Sequence, residues 1–122
     1  MKSVLVRNLS NQIATPLQLG VCDNFFTRLQ GLMFSKEMDC AGGLFFLNLS
    51  EDKINSAIHM FFMNFDLTII WVDSTGRVVD KIIAKRWKTI AAPASGAKFI
   101  LEAHTDRFLE YNIGDLLEFN YG

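Results

Sequence analysis

Cysteine, proline and histidine are scarce, since the 122 residues include 2 Cys, 2 Pro and 2 His. Cys22 and Cys40 lie far apart and form no Cys-x-x-Cys motif. Such a pair is typical of reduced, buried thiols, so we expect a cytoplasmic protein, with a disulfide as the less favoured alternative. Pro16 and Pro93 stand in turn-like contexts, and no linker divides the chain.

An excess of charge is also lacking, because 12 Lys and Arg stand against 13 Asp and Glu with no basic run. We expect no nucleic-acid partner, since binding to phosphate backbones requires concentrated positive charge. The longest apolar runs, "GLFFL" and "IHMFFM", fall short of the ~20 apolar residues that a membrane-spanning helix needs. The N-terminal "MKSVLVRNLSNQ" lacks the apolar stretch of a signal peptide. The sequence therefore predicts no membrane span and no export.

Hydrophobic residues are plentiful: they make up 50% of the chain, 11 of them are Phe, and charged residues account for 20%. This composition excludes intrinsic disorder, and the length fits a single domain over residues 1–122. So many Phe in a small domain also favour exposed apolar surface. A homodimer is therefore an open alternative to a monomer.

Short β-type runs separated by turn-forming residues recur along the chain. They are "SVLVRN", "LQLGVC", "GLFFLN", "AIHMFF", "LTIIWV", "RVVDKIIAK", "AKFILEA" and "DLLEFNY". This spacing predicts a mainly β fold, an antiparallel sandwich or a jelly-roll-like barrel with one or two short helices. The clearest hairpin is "VDSTGRVV", in which Asp73 to Gly76 separate two β-branched runs.

Two segments depart from the strand pattern and predict short helices. "DNFFTRLQGLMF" places apolar residues at helical spacing after Asp23, a suitable N-cap. "HTDRFLEYNIGD" predicts the second helix, with Thr105 or Asp106 as its N-cap and Gly114 at its exit.

The stretch "SAIHMFFMNFDLTIIWVD" contains three soft metal ligands, His59, Met60 and Met63. Successive side chains of a strand face opposite ways, so Met60 is directed away from His59 and Met63. A copper(I) site would need a bulge or turn to bring them together, whereas Met and aromatic side chains fill cores readily. We therefore expect core packing with no metal and no cofactor, and a copper-type site is the less favoured alternative.

Three further residues carry chemistry that a site could use. Glu102 and His104 are two positions apart, so they share a face if the strand "AKFILEA" continues through them. Arg28, on the polar side of the first predicted helix, could bind a carboxylate or a phosphate. No nucleophile, oxyanion hole, phosphate-binding loop or paired Cys-x-x-Cys accompanies them.

Four segments occur in an order that resembles a known family: "RLQGLMF", "AGGLFFLN", "SAIHMFFMNFDLTIIWVDSTGRVV" and "AKFILEAHTDRFLEYNIGDLLEF". Together they look like DUF192, a widespread prokaryotic domain of unknown function. The resemblance runs from about Val21 to Phe119. It implies a small, mainly β, jelly-roll-like or sandwich domain, and it implies no reaction.

The resemblance extends to individual residues. The family's Arg-x-x-Gly-Leu-Met is similar to the segment from Arg28 to Met33, and its Gly-Leu-Phe is similar to the segment from Gly43 to Phe45. The last motif is matched by Leu101, Glu102, Gly114 and Asp115.

The middle motif matches with two departures. One branch of the family has His-x-Phe-Phe-Met-x-Phe-Pro-Ile-Asp, which is similar to the segment that begins at His59. Asp66 stands in place of the Pro and Thr68 in place of the final Asp.

The favoured hypothesis is a noncatalytic module that binds a small molecule or a protein in a pocket near Arg28, His59, Met63 and Glu102. The alternative is an enzyme that uses Glu102 with His59 or His104 as acid and base on a small polar substrate.

Overall fold

A curled sheet of seven strands dominates the computed structural model, which describes residues 3–12, 14–22, 43–52, 58–59, 66–85 and 90–121. Its strands are β1 (Ser3–Asn8), β2 (Leu17–Cys22), β3 (Gly43–Asp52), β5 (Leu67–Val72), β6 (Val78–Ala84), β8 (Ala97–Ala103) and β9 (Leu117–Tyr121). The remaining strands, β4 (Ile58–His59) and β7 (Ile90–Ala91), pair with each other. One 3₁₀ helix, η1, covers Thr105–Glu110.

The large sheet has the strand order β6-β5-β8-β3-β2-β1-β9 and curls into a half-barrel. Its neighbouring strands are antiparallel except for β2 and β3, which run parallel. The prediction of a mainly β, barrel-like fold is confirmed, with the sheet mixed rather than purely antiparallel. A parallel pair requires a crossover connection of about a dozen residues or more, and residues 23–42 supply its length.

A cluster of apolar side chains lies on each face of this sheet. The concave face is filled by a cluster to which both edge strands contribute, through Val78 of β6 and Leu117 of β9. The convex face carries a second cluster that includes Ile69, Trp71 and Ile100. Strand β5 (Leu67–Val72) lies between the two clusters and is buried along its whole length, which explains its nearly continuous apolar sequence.

The predicted hairpin between β5 and β6 is confirmed. The Asp73 amide donates to the carbonyl of Arg77 at 2.9 Å, and the Gly76 amide donates to the carbonyl of Asp73 at 3.1 Å. The Asp73 carboxylate accepts hydrogen bonds from the amides of Thr75 and Arg77 and from the Thr75 hydroxyl. Burial acts to raise the pKa of Asp73, but these hydrogen bonds outweigh it and hold the pKa below its usual value.

The second predicted helix is present in a different form. It is the 3₁₀ helix η1, and its N-cap is His104 rather than Thr105 or Asp106. The imidazole Nδ1 of His104 accepts the Asp106 amide at 3.0 Å, a task that the sequence pattern assigned to a hydroxyl or carboxylate. Gly114 lies in a separate turn before β9. The first predicted helix lies outside the described residues.

One end of the half-barrel is closed by hydrogen bonds between its two edges. The Leu117 amide donates to the Gly76 carbonyl at 2.8 Å, and the Val78 amide donates to the Asp115 carbonyl at 2.9 Å. These bonds flank a bridge between Arg77 and Leu116. In the described part of the chain, no further backbone hydrogen bond joins β6 to β9 beyond this point. No helix within the described ranges is long and apolar enough to cross a membrane.

Candidate functional site

Glu102 is a buried carboxylate on the convex face of the sheet. It belongs to β8, where it lies opposite Leu44 of β3 and Ile69 of β5. The residue is 4% exposed, although the neighbouring convex-face side chains Phe46, Ile69 and Ile100 are apolar. Withdrawing a carboxylate from water costs several kcal/mol unless hydrogen bonds or an opposite charge offset that cost.

His104 does not extend β8 and instead begins η1. Its Nδ1 accepts the Asp106 amide, and the Asp106 carboxylate lies 3.5 Å from the same nitrogen. The His104 carbonyl accepts the Thr68 hydroxyl and the Arg107 amide, both at 3.0 Å. The ring and backbone of His104 therefore join β5, β8 and η1, a structural role that the sequence did not indicate.

The other predicted site residues are placed only in part. His59 lies in β4, opposite Ile90 of β7. Arg28 and Met63 lie outside the described residues. The gathering of Arg28, His59, Met63 and Glu102 into one pocket therefore stays a prediction.

A polar network that sequence reasoning missed lies at the closed end of the half-barrel. Asn8 donates through Nδ2 to the Glu110 carbonyl at 2.9 Å and to the Asp115 carboxylate at 2.8 Å. Arg107 donates through Nε to the Glu110 carboxylate at 2.8 Å and also to the Thr15 carbonyl. Asn8 and Arg107 are both buried. Because Asn8 and Glu110 stand 102 positions apart, no local pattern could have revealed the network.

A shallow groove of about 300 Å³ adjoins this network. It is formed by the loop after β1, and its lining includes Asn8, Leu9, Asn11 and Pro16. The Asn11 side chain donates to the Glu110 carbonyl at 3.0 Å, which ties the groove wall to η1. The Asp115 carboxylate stabilises the turn before β9 by accepting the Asn112 amide at 2.9 Å.

Tyr111 carries a buried hydroxyl beside this network. Its oxygen has no hydrogen-bond partner within the described part of the molecule. Burial raises the pKa of Tyr111 to about 12, the Arg107 guanidinium acts in the opposite direction, and the Glu110 carboxylate adds to the rise.

Metal binding has no support in the described ranges, because no three side chains of His, Cys, Asp or Glu come together there. Met60 and Met63, which entered the copper hypothesis, fall outside those ranges.

The model of the family DUF192, described as an uncharacterized ACR, matches residues 6–119. This chain belongs to DUF192.

Relatives of this DUF192 chain are found among archaea. A UPF0127 protein of Thermococcus kodakarensis is 40% identical over 99 residues, which cover 80% of this chain and 61% of the relative. A UPF0127 protein of Thermococcus gammatolerans is 37% identical over 102 residues, covering 82% of this chain and 65% of the relative. The chain thus spans less than two thirds of the length of these relatives.

Two solved structures share the fold. A Sinorhizobium meliloti protein described as a candidate transcription regulator superposes with a TM-score of 0.80 at 20% identity, covering 97% of this chain and 92% of that one. A Novosphingobium aromaticivorans protein of unknown function gives a TM-score of 0.75 at 22% identity, covering 95% and 83% of the two chains. Identities this low show the fold alone.

The Gly-Leu-Phe motif of the DUF192 chain now has a physical explanation. A side chain at Gly43 would collide with the backbone carbonyl of Glu102, so β3 and β8 can approach only over a glycine. Leu44 lies opposite Glu102, and Phe45 fills the concave core. The motif therefore supports the backbone around Glu102.

Thr68, which stands in place of a family Asp, lies on the other face of the sheet. It pairs with Ala103, a member of the concave cluster, whereas Glu102 pairs with Ile69 of the convex cluster. Residues directly opposite each other in a sheet share a face. A carboxylate at position 68 would therefore be directed away from Glu102, so these two positions do not form one site in this chain.

Proposed function

We propose that this DUF192 chain is a noncatalytic binding module whose site is built around the Glu102 carboxylate. The observation that carries the proposal is the burial of the Glu102 carboxylate beside the apolar side chains of the convex cluster. Ionisable groups in buried environments are enriched at functional sites. Their burial disfavours folding, but binding or catalysis requires them at that position. The proposed occupant is a small molecule or a protein segment that offers hydrogen-bond donors or a positive charge to this carboxylate.

The geometry of the described neighbours supports a binding role over an acid/base role. The His104 imidazole caps η1, and the Thr68 hydroxyl is directed to the opposite face and donates to a backbone carbonyl. Neither group is arranged to exchange protons with Glu102 in a shared site. Arg28, His59 and Met63 enter the proposal from the sequence, as further residues around the carboxylate. The cytoplasm is the proposed location, supported by the two widely separated cysteines.

The test is a thermal-shift screen with a panel of amines, amino acids and short peptides. A compound present at a hundred times its dissociation constant stabilises a folded protein by about 2.7 kcal/mol, which raises the melting temperature of a domain of this size by roughly 10 °C. We expect a hit on the wild type to be lost in Glu102→Gln, which keeps the shape of the side chain and removes its charge. Glu118→Gln is the matched control, because Glu118 is an exposed residue of the same sheet.

Direct titration by calorimetry, below the melting temperature of each variant, separates lost binding from lost stability. Arg28→Ala, His59→Ala and Met63→Leu then report whether those residues belong to the site. A compound that binds Glu102→Gln as tightly as the wild type would overturn the proposal. So would a panel in which no compound stabilises the wild type.

A further inference from the structure

Among the described strands, none pairs with the outer side of β9. The Leu9 amide donates to the Leu116 carbonyl on the β1 side, whereas the Leu117 amide donates to Gly76 on the opposite side. Backbone groups alternate in direction along an antiparallel strand, so Phe119 and Tyr121 share the direction of Leu117 and face away from β1. Neither has a backbone partner on that side within the described part of the chain.

The free edge carries few of the features by which natural sheets prevent pairing with other chains. Such features include proline, lysine and charges directed into the sheet. In β9 the only charged residue is Glu118, and its backbone groups face β1. The edge therefore offers a mostly uncharged template for one more strand.

An aromatic surface accompanies the free edge on the concave side. The Phe119 ring lies 5.2 Å from that of Phe45 and 4.8 Å from that of Phe99, measured between ring centroids. Tyr121 lies 6.1 Å from Phe45 and is 65% exposed. A strand added at this edge would cover aromatic area that now contacts water.

We propose that two copies of this chain pair through antiparallel β9 strands, with a two-fold axis at Asn120. In this register Phe119 of each copy lies opposite Tyr121 of the other, and both pairs exchange their free amide and carbonyl groups. Leu117 takes no part, so its hydrogen bond to Gly76 is preserved. The two sheets become one continuous sheet across the axis.

Side-chain chemistry favours a second copy as the occupant. The register places Asn120 opposite Asn120, and two amides can donate to and accept from each other. Glu118 lies two positions from the axis, so the Glu118 side chains of the two copies do not lie opposite each other. On the concave side, Phe119 and Tyr121 form aromatic cross-strand pairs, a stabilising combination in sheets. Two-fold dimers are also the commonest assemblies of identical chains.

Because a two-fold axis brings position 120 against itself, charge reversal tests the register directly. Asn120→Lys and Asn120→Asp each place like charges opposite one another, and each is expected to weaken dimerisation roughly fivefold. An equimolar mixture of the two variants pairs Lys with Asp and is expected to restore the dimer. Asn112→Lys is the control, since it adds the same charge at an exposed position outside the strands.

Sedimentation equilibrium across a concentration series measures the dissociation constants, and circular dichroism confirms that each variant is folded. We expect a concentration-dependent dimer for the wild type and for Asn112→Lys. A wild type that remains monomeric into the millimolar range would overturn the proposal. A dimer that tolerates both Asn120 variants, or that the mixture does not restore, would do so as well.

Discussion

Single buried polar atoms are where this chain departs most from a simple apolar core. The Tyr111 hydroxyl is fully buried and has no hydrogen-bond partner among the described residues, although its ring is part of the concave cluster. An unpaired buried hydroxyl carries an unrecovered cost of about 1–3 kcal/mol. By contrast, the Thr68 hydroxyl, also fully buried, donates a hydrogen bond to the His104 carbonyl, and this bond offsets the free energy lost when the hydroxyl leaves water.

We expect Tyr111→Phe to leave stability unchanged or to raise it by about 1 kcal/mol at neutral pH, because it removes the unpaired hydroxyl. At alkaline pH the difference in the free energy of unfolding between Tyr111→Phe and the wild type grows. The pKa of Tyr111 rises from 10 to about 12 on folding, so the folded state holds its proton more tightly than the unfolded state. The contribution of this proton to the free energy of unfolding is fully present below pH 10 and is lost as the pH rises toward 12. The loss is on the order of 2 kcal/mol.

Urea unfolding at neutral pH and at stepped alkaline pH measures both effects. Tyr121→Phe serves as the control, because Tyr121 is mostly exposed and its hydroxyl is not buried in the core. If the wild type and Tyr111→Phe lose stability in parallel above pH 10, the inferred environment of Tyr111 is wrong.

At the scale of elements, the contact between β3 and β8 depends on the absence of a side chain. The Gly43 backbone lies against the carbonyl of Glu102, with the Leu19 side chain also close to the position a Cβ would occupy. Gly114, in the turn before β9, has a φ of +93° and open space around it. Both glycines have a positive φ that other residues rarely adopt, +154° at Gly43, and Gly43 in addition permits two strands to approach.

We therefore expect Gly43→Ala to cost roughly 3 kcal/mol or more, because backbone atoms cannot move aside without separating the strands. Gly114→Ala is expected to cost only about 1 kcal/mol, the penalty for a positive φ in an open position. Thermal and urea unfolding of the two variants provide the comparison. Equal costs would mean that the close approach of β3 and β8 contributes nothing beyond glycine's backbone freedom.

At the scale of the whole molecule, closure of the half-barrel depends on contacts between distant parts of the chain. Asn8 joins β1 to the end of η1 and to the turn before β9, through Glu110 and Asp115. Arg107 and Glu110 join η1 to the loop before β2 through Thr15. Since the edge strands share few other hydrogen bonds among the described residues, this network holds the closed end together.

Asn8→Ala is expected to cost about 2–3 kcal/mol, because it removes two hydrogen bonds of a buried side chain, one of them to the charged Asp115 carboxylate. We expect the loss of stability to be confined at first to the closed end of the half-barrel. Hydrogen exchange is expected to quicken at the amides of Val78 and Leu117, while those of Ile70 and Leu101 in the sheet centre stay protected.

The exposed Asn112 provides the matched control, since Asn112→Ala removes the same side chain without touching the core. A uniform acceleration of exchange across the sheet would show that the closed end does not open as a separate unit.

The amino-acid sequence alone determined the class of fold, most strand positions, the β5–β6 hairpin and the family. These features depend on local chemistry: β-branched and aromatic runs favour strands, Asp and Gly favour turns, and both signals lie within a few neighbouring residues. The N-cap of η1 was assigned to the wrong residue, because His104 is recruited by the neighbouring Thr68 and Arg107 contacts rather than by local preference.

Tertiary structure decided which residues face each other. Only the sheet register shows that Thr68 and Glu102 lie on opposite faces and that Gly43 lies against the Glu102 backbone. It also brings Asn8 to Glu110. A shift of one residue in strand pairing reverses every side chain, and nothing in a single sequence specifies that register between distant strands.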